Sequence, residues 1–152
     1  MTSHPPSSPP GPRSLGAAPP SDRGPGPLPT EEQEQRALFN WVAIAQKQRP
    51  ELRMLFAVPN GGHRHKAVAA KLKATGVRPG VPDLHLAVAR EPYHGLWIEM
   101  KRFKGGQVSP DQKWWIDALL KEGYAVSLCR GWDAAKMVIE DYLAGRWVEV
   151  KR

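Results

Sequence analysis

The uneven distribution of proline is the feature that most limits how this chain can fold. Ten of the sixteen prolines lie in residues 1–29, where serine and glycine fill most of the gaps and large apolar side chains are almost absent. Such a segment cannot bury enough apolar surface to offset the entropy lost on ordering. We therefore predict a disordered Pro/Gly/Ser-rich tail over residues 1–29, one folded domain over residues 30–145 and a short extension over residues 146–152.

Charge and apolar patterning restrict the partners of that domain. Lysine and arginine outnumber aspartate and glutamate 22 to 15, a net charge of +7 that favours a polyanion such as nucleic acid. No apolar run approaches the roughly 20 residues that span a bilayer, and no secretory signal is present. The single cysteine, Cys129, excludes an intramolecular disulfide and fits a reducing compartment. We expect a cytoplasmic protein without membrane contact.

A helix is predicted to begin at the start of the domain. Thr30 stands at an N-cap position and Gln33 completes a capping box. Leu38 and Trp41 then recur at helical spacing. Glu34 lies four and seven residues before them, so it is expected to point toward the core with the apolar side chains.

The remaining periodicities predict an alternation of strands and helices. Strands are expected at residues 53–58, 83–89, 96–101 and 124–129, and helices at residues 64–75, 110–122 and 133–143. Ser109 caps the third helix, and the strands at 83–89 and 96–101 are close enough to form a hairpin. The order predicts an α/β fold, with a mixed β-sheet flanked by α-helices on both faces.

Three ionic residues in this hairpin carry the chemistry. Successive strand residues face opposite ways, so Glu99 and Lys101 share one face while Ile98 and Met100 take the other. Asp83 begins the neighbouring strand. Two carboxylates and one ammonium group are therefore expected to lie close together.

Such a group suits the hydrolysis of a phosphodiester. Mg²⁺ prefers oxygen ligands and usually takes one or two carboxylates, so Asp83 and Glu99 are the expected metal ligands, helped by the backbone carbonyl between Glu99 and Lys101. Mn²⁺ can substitute. Lys101 would orient the attacking water or stabilise developing charge.

Four motifs, in this order, make the chain similar to a known family. They are VPNGGHR at 58–64, GVPDL at 80–84, IEMK at 98–101 and SPDQ at 109–112. Together they resemble the VRR-NUC branch of the PD-(D/E)xK nuclease superfamily, and the resemblance spans residues 31–140. It implies a restriction-endonuclease-like domain that cuts DNA with a divalent metal ion.

The resemblance also assigns residues to catalytic roles. It places the metal ligands on Asp83 and Glu99, the catalytic lysine on Lys101 and a helical glutamine on Gln112. This glutamine would reach the metal-bound water or the phosphate, or would hydrogen-bond one of the ligands. A first-helix glutamate falls on Glu34 or on Glu31, and the helical periodicity favours Glu34.

The segment before the second helix is predicted to bind the nucleic-acid backbone. Exposed amides in a glycine turn at a helix start attract phosphate. The predicted contacts are Asn60, Gly61, Gly62, His63, Arg64, Lys66, Lys71 and Lys73. A zinc site at His63 and His65 would need further ligands, and the other histidines and Cys129 lack ligand spacing.

The resemblance implies a substrate class as well. Similar stand-alone proteins of phages and bacteria look like homodimers that cut branched DNA such as Holliday junctions, which suggests a role in DNA repair in a bacterial or phage-infected cell. A nuclease acting on flaps or ends fits the residues equally well. Two other readings are a noncatalytic DNA-binding module built on the basic second helix, and an interaction protein that depends on its proline-rich tail.

One aromatic pair also bears on DNA binding. Trp114 and Trp115 are adjacent on the third helix, so they cannot both face the core. One of them is expected to be partly exposed, where it would stack on an unpaired base or fill a dimer interface.

Overall fold

The computed structural model describes residues 26–59 and 65–149. Residues 1–25 of the predicted tail, the predicted contacts Asn60, Gly61, Gly62, His63 and Arg64, and residues 150–152 lie outside the described residues. The elements are helices α1 (Glu31–Ala45), α2 (Lys66–Ala74), α3 (Pro110–Lys121) and α4 (Trp132–Leu143), a 3-10 helix (Pro50–Met54), and strands β1 (Leu55–Ala57), β2 (Leu84–Leu86), β3 (Leu96–Lys101) and β4 (Ala125–Arg130).

The four strands form one mixed sheet in the order β1-β2-β3-β4. β1 pairs antiparallel with β2, and β2 pairs antiparallel with β3 in the register Leu84↔Ile98. β3 pairs parallel with β4, as expected for two strands joined through a helix. The predicted hairpin and mixed sheet are confirmed.

Helices cover both faces of the sheet. On one face α1 and α4 pack over β3, and the buried residues there include Leu38, Ile98, Met100 and Ile139. On the other face α3 packs over β4 in a smaller cluster formed around Ile116, Leu119 and Val126. Since alternate residues of β3 point to opposite faces, this arrangement leaves Glu99 and Lys101 on the α3 side.

The N-terminal caps hold two helices at their predicted starts. Thr30 Oγ1 accepts the Gln33 N–H at 3.2 Å, while the Gln33 side chain accepts the Thr30 N–H at 2.9 Å. Ser109 and Gln112 form the same capping box at α3. Glu34 is buried in the stripe that also holds Leu38 and Val42, as its spacing predicted. These helix starts could be read directly from sequence because capping is a local interaction.

Two predicted strands are shorter in the structure. The strand predicted at 53–58 begins at Leu55, because Pro50 opens a 3-10 helix that continues to Met54. The strand predicted at 83–89 keeps only Leu84–Leu86, because Leu86 already pairs with the first residue of β1, Leu55, and the first residue of β3, Leu96. In the described residues no helix is long and apolar enough to cross a membrane.

We predict that Gly80→Ala destabilises the protein more than Gly76→Ala. Both glycines have positive φ, 83° and 98°, so alanine strains the backbone at either position by about 1–2 kcal/mol. At Gly80 the new Cβ would also lie 2.5 Å from the backbone carbonyl carbon of Asp111, whereas nothing lies within 4 Å at Gly76. Urea unfolding should show a loss of roughly 3 kcal/mol or more for Gly80→Ala. Equal losses would contradict this close approach.

Candidate active site

The hairpin brings Asp83 to the side of β3 as predicted. Asp83 immediately precedes β2, and its Oδ2 accepts the backbone N–H of Met100 at 2.7 Å. Since Leu84 lies opposite Ile98, this bond holds the Asp83 carboxylate beside the neighbouring residue Glu99. Strand pairing and one hydrogen bond therefore position Asp83 and Glu99 next to each other.

Glu99, Lys101 and Gln112 form a closed set of contacts. Glu99 and Lys101 are only 1% and 5% exposed, and Lys101 Nζ lies 3.0 Å from Glu99 Oε1. Lys101 Nζ also donates to Gln112 Oε1 at 3.2 Å, and Gln112 Nε2 donates to Glu99 Oε1 at 2.5 Å. The structure thus brings the predicted acid, lysine and glutamine together.

Helix α3 positions the glutamine through its own N-terminal cap. Gln112 Oε1 accepts the Ser109 N–H at 2.9 Å while it accepts from Lys101. One amide oxygen therefore links the start of α3 to the ammonium group on β3. Because it contacts both groups, Gln112, the N3 residue of the capping box, faces the interior of the site.

The electrostatics of the cluster leave an excess of negative charge. Burial, followed by the negative charge of Asp83, raises the pKa of Glu99 to about 7, although Lys101 acts against both. Burial also raises the pKa of Asp83, against the Met100 hydrogen bond and Lys101. Among the described residues Glu99 Oε2 is buried without a hydrogen-bond partner. A group that supplies positive charge here would relieve this repulsion.

These residues fit a hard divalent cation. Two carboxylates, one of which has a buried oxygen without a partner in the described part of the chain, match Mg²⁺, which binds few protein ligands and completes its shell with water and substrate. Within residues 26–59 and 65–149 no group of three or more His, Cys, Asp and Glu is arranged to hold a metal. The donor set is therefore unlike the closed, four-ligand site of structural zinc.

The two acids of α1 lie in different surroundings. Glu34 Oε2 accepts the Trp132 N–H at 2.8 Å, so this buried carboxylate is engaged at the start of α4. Burial is the main cause of the raised pKa of Asp83 and of Glu99, and the negative charge of Glu31 adds a smaller contribution to both. The structure brings Glu31 into the electrostatic cluster, while the Glu34 carboxylate contacts the start of α4.

The loop between β3 and α3 was not singled out from sequence. Gly106 has a φ of 70°, and a Cβ there would lie 3.2 Å from Lys101 Cδ and 3.3 Å from Glu31 Oε1. The loop therefore packs directly against the ionic cluster. Its sequence signal is the glycine pair 105–106 that follows the basic residues Arg102 and Lys104.

The predicted DNA-binding lysines lie on an isolated helix. Lys66, Lys71 and Lys73 are exposed on α2, none of whose residues is buried. In the described part of the chain, α2 packs against no other helix or strand. These cations are therefore accessible to a partner, and the structure does not bring them into the contacts of Glu99 and Lys101.

The tryptophan pair divides as predicted. Trp115 donates its indole N–H to Pro79 O at 3.1 Å and packs with the smaller core cluster. Trp114 is 64% exposed, and its ring meets the Trp115 ring edge-on. One of the two is thus held inside while the other faces solvent.

Comparisons with known proteins agree with this geometry. A model of the VRR-NUC domain family matches residues 28–133. A solved structure described as a VRR_NUC domain protein is 34% identical, with a TM-score of 0.64, and the match covers 78% of this chain and 91% of that chain. No curated protein matches the chain.

We predict that, without divalent cations, stability falls as pH rises from about 4.5 to about 7. The pKa of Glu99 is raised from 4.5 to about 7 in the folded protein, so the folded state holds this proton more tightly than the unfolded chain. The stabilisation is complete below pH 4.5, is lost as pH rises toward 7, and amounts to about 3 kcal/mol.

Urea unfolding across this range, compared with Glu99→Gln, isolates the effect of that one group. The difference in unfolding free energy between wild type and Glu99→Gln should change by about 3 kcal/mol between pH 4.5 and pH 7.5. Glu122→Gln removes an exposed carboxylate of the same length and should follow wild type. Parallel curves for wild type and Glu99→Gln would contradict the raised pKa.

Proposed function

Because the chain belongs to the VRR-NUC domain family, a nuclease family, we propose that it is a metal-dependent DNA endonuclease whose active site is Asp83, Glu99 and Lys101. The observation that carries this proposal is the set of contacts among Glu99, Lys101 and the half-buried Gln112 beside Asp83, in which Glu99 and Lys101 are buried and Glu99 Oε2 has no partner among the described residues. Burial of these charges lowers the stability of the fold, as is expected where charged groups are retained for chemistry.

The carboxylates of Asp83 and Glu99 would hold Mg²⁺ or Mn²⁺. Such an ion, when bound, lowers the pKa of an attacking water and polarises the phosphate. The chain contributes the fixed separation of the two acids, which the Asp83–Met100 hydrogen bond maintains. Burial keeps competing water away from Glu99, which strengthens every charge interaction within the site.

Lys101 would orient the attacking water or stabilise the charge that develops on the phosphoryl group. Its ammonium is held by two acceptors, Glu99 Oε1 and Gln112 Oε1, so it needs little rearrangement to act. Of the two roles open to Gln112, the contacts support holding Glu99 and Lys101 rather than reaching substrate itself. Gln112 is then a positioning residue.

Glu31 is proposed as the acid that α1 adds to the site. Its charge acts on Asp83 and Glu99, and its Oε1 borders Gly106 beside Lys101. Glu34, which helical periodicity favoured, has its carboxylate on the Trp132 N–H instead. We assign it the task of holding α1 against the start of α4.

Branched DNA such as a Holliday junction is the proposed substrate, and a homodimer the proposed assembly. Two sites in one assembly suit paired cuts in opposing strands.

Helix α2 is basic, packs against no other described helix or strand, and exposes Val68 to 46%, which fits a surface that contacts DNA or a second copy. The work of such an enzyme in DNA repair would lie in the cytoplasm of a bacterial or phage-infected cell. Flaps and ends remain the alternative substrates.

We predict that purified protein cuts branched DNA only with Mg²⁺ or Mn²⁺, and that Asp83→Asn and Lys101→Met reduce kcat by roughly 10²-fold or more. Each change removes a charge while nearly preserving side-chain size. Lys121→Ala removes an exposed lysine at the far end of α3 and should cut as wild type does. A panel of labelled junction, flap and duplex DNA measures rate and substrate preference together.

The noncatalytic alternative predicts a different pattern in the same assay. A DNA-binding module would bind the panel without cutting any member, whether or not Mg²⁺ is present. Cutting by wild type together with its loss in Asp83→Asn would exclude that reading. Undiminished cutting by Lys101→Met would overturn the proposed site.

We predict that Glu31→Gln and Glu34→Ala fail in different ways. Glu31→Gln should lower kcat by roughly tenfold or more, with little change in thermal stability, because Glu31 is exposed. Glu34→Ala leaves the Trp132 N–H without its acceptor and should cost about 1–3 kcal/mol of stability. Thermal unfolding and single-turnover cleavage separate the two. A large kcat loss in Glu34→Ala at full stability would favour Glu34 as the catalytic acid.

A further inference from the structure

The loop between β3 and α3, residues 102–109, carries an exposed aromatic ring beside the proposed active site. Phe103 is 59% exposed and follows Lys101 by two residues, so their Cα atoms lie within about 7 Å of each other. In the described chain its ring meets no other aromatic ring and joins neither core cluster. A large apolar side chain is therefore presented to solvent at the edge of the site.

The base of this loop is held firmly. Gly131 donates its N–H to Lys101 O at 3.0 Å, where the loop leaves β3. The Arg130 guanidinium donates to the backbone oxygens of Gly105 and Gly106, where the loop turns back toward α3. Anchoring on both sides confines the loop tip, and with it Phe103, to the neighbourhood of Lys101.

The charges around the ring favour a nucleic-acid partner. Arg102 and Lys104 flank Phe103, both are exposed, and residues 102–108 contain no acid. A loop that joins two cations to one aromatic ring matches the way proteins bind single strands, where cations follow the phosphates and rings stack on bases. An apolar protein partner would gain nothing from the two cations.

We propose that Phe103 stacks on an unpaired base next to the phosphodiester bond that is cut, while Arg102 and Lys104 bind the neighbouring phosphates. The proposal rests on the nuclease function and adds the feature of DNA that the site selects. In a continuous duplex both faces of each base are covered by its neighbours, so a ring reaches a base only where the stack is interrupted. Phe103 would therefore favour branched DNA in which the branch leaves a base unstacked, most of all a flap, whose single-stranded arm supplies an unpaired base.

Trp114 is the exposed member of the tryptophan pair for which base stacking or a dimer interface was expected from sequence, but its position on α3 does not suit stacking beside the active site. It lies two residues beyond Gln112, which places it on nearly the opposite side of the helix from the residue that contacts Glu99. Its exposure is 64%, close to that of Phe103. Trp114 is therefore a matched control for loss of an exposed aromatic ring.

The test measures stacking directly, with Ca²⁺ replacing Mg²⁺ so that cutting does not enter. Branched DNA with a single-stranded arm, a flap, carries 2-aminopurine at the first unpaired base beside the branch, and a paired duplex carries it within the helix. Wild type and Phe103→Trp should quench the branched probe, whereas Phe103→Leu should lose the quenching and bind branched DNA roughly 5- to 100-fold more weakly. Affinity for the paired duplex should be unchanged in Phe103→Leu, and Trp114→Leu should behave as wild type.

Three results would overturn the proposal: wild-type quenching and affinity in Phe103→Leu, equal losses of affinity for branched DNA and duplex, or the loss appearing in Trp114→Leu instead. Thermal unfolding confirms that each variant is folded, as exposure of Phe103 leads us to expect. Failure of wild type to cut in Mg²⁺ would overturn the nuclease function by a separate measurement, since binding and quenching are read without cleavage.

Discussion

The buried contact between the Glu99 carboxylate and the Lys101 ammonium is the interaction on which the rest of this structure depends. Two charges removed from water cost several kcal/mol each, and their mutual attraction offsets this only when the remaining polar atoms are also satisfied. Gln112 satisfies part of the set by contacting both groups. Glu99 Oε2 stays unpaired among the described residues, and Asp83 adds a second negative charge. Under the proposed function, a divalent cation would offset this negative charge and give Glu99 Oε2 a partner.

The fold can be understood as the support of that cluster. The hairpin of β2 and β3 sets the distance between the two acids, and the larger core under Ile98 and Met100 holds β3 in place. On the other face, Gln112 of the α3 capping box forms hydrogen bonds with both members of the ion pair. Gly80 allows the segment before Asp83 to pass against Asp111 in the first turn of α3. Because each of these contacts is short, a small displacement of α3 would change the distances between Gln112 and the two charged groups.

Two acids of helix α1, Glu31 and Glu34, lie in different surroundings and therefore make different contacts. Glu34 faces the core and accepts a hydrogen bond from the first residue of α4. Glu31, one turn earlier, stays exposed and acts on the ionic cluster through its charge. The loop of residues 102–109 closes the same region, with Gly106 against Lys101 and Glu31. Helix, hairpin and loop thus meet at one end of β3.

Local patterns in the sequence were enough to predict the helix starts at Thr30 and Ser109, the hairpin, the face shared by Glu99 and Lys101, and the fold class. Capping, alternation and helical periodicity each depend on residues a few positions apart, which is why they can be read without a structure. The strand lengths were not predicted, because a residue belongs to a strand only where the neighbouring strand has a residue to pair with it. Strand β1, whose three residues pair with the three residues of β2, is an example. Periodicity predicted that Glu34 faces the core, but the groups that the Glu31 and Glu34 carboxylates meet were decided by tertiary structure alone. What separates them is the packing of α4 and of the 102–109 loop, which contact α1 from distant parts of the chain.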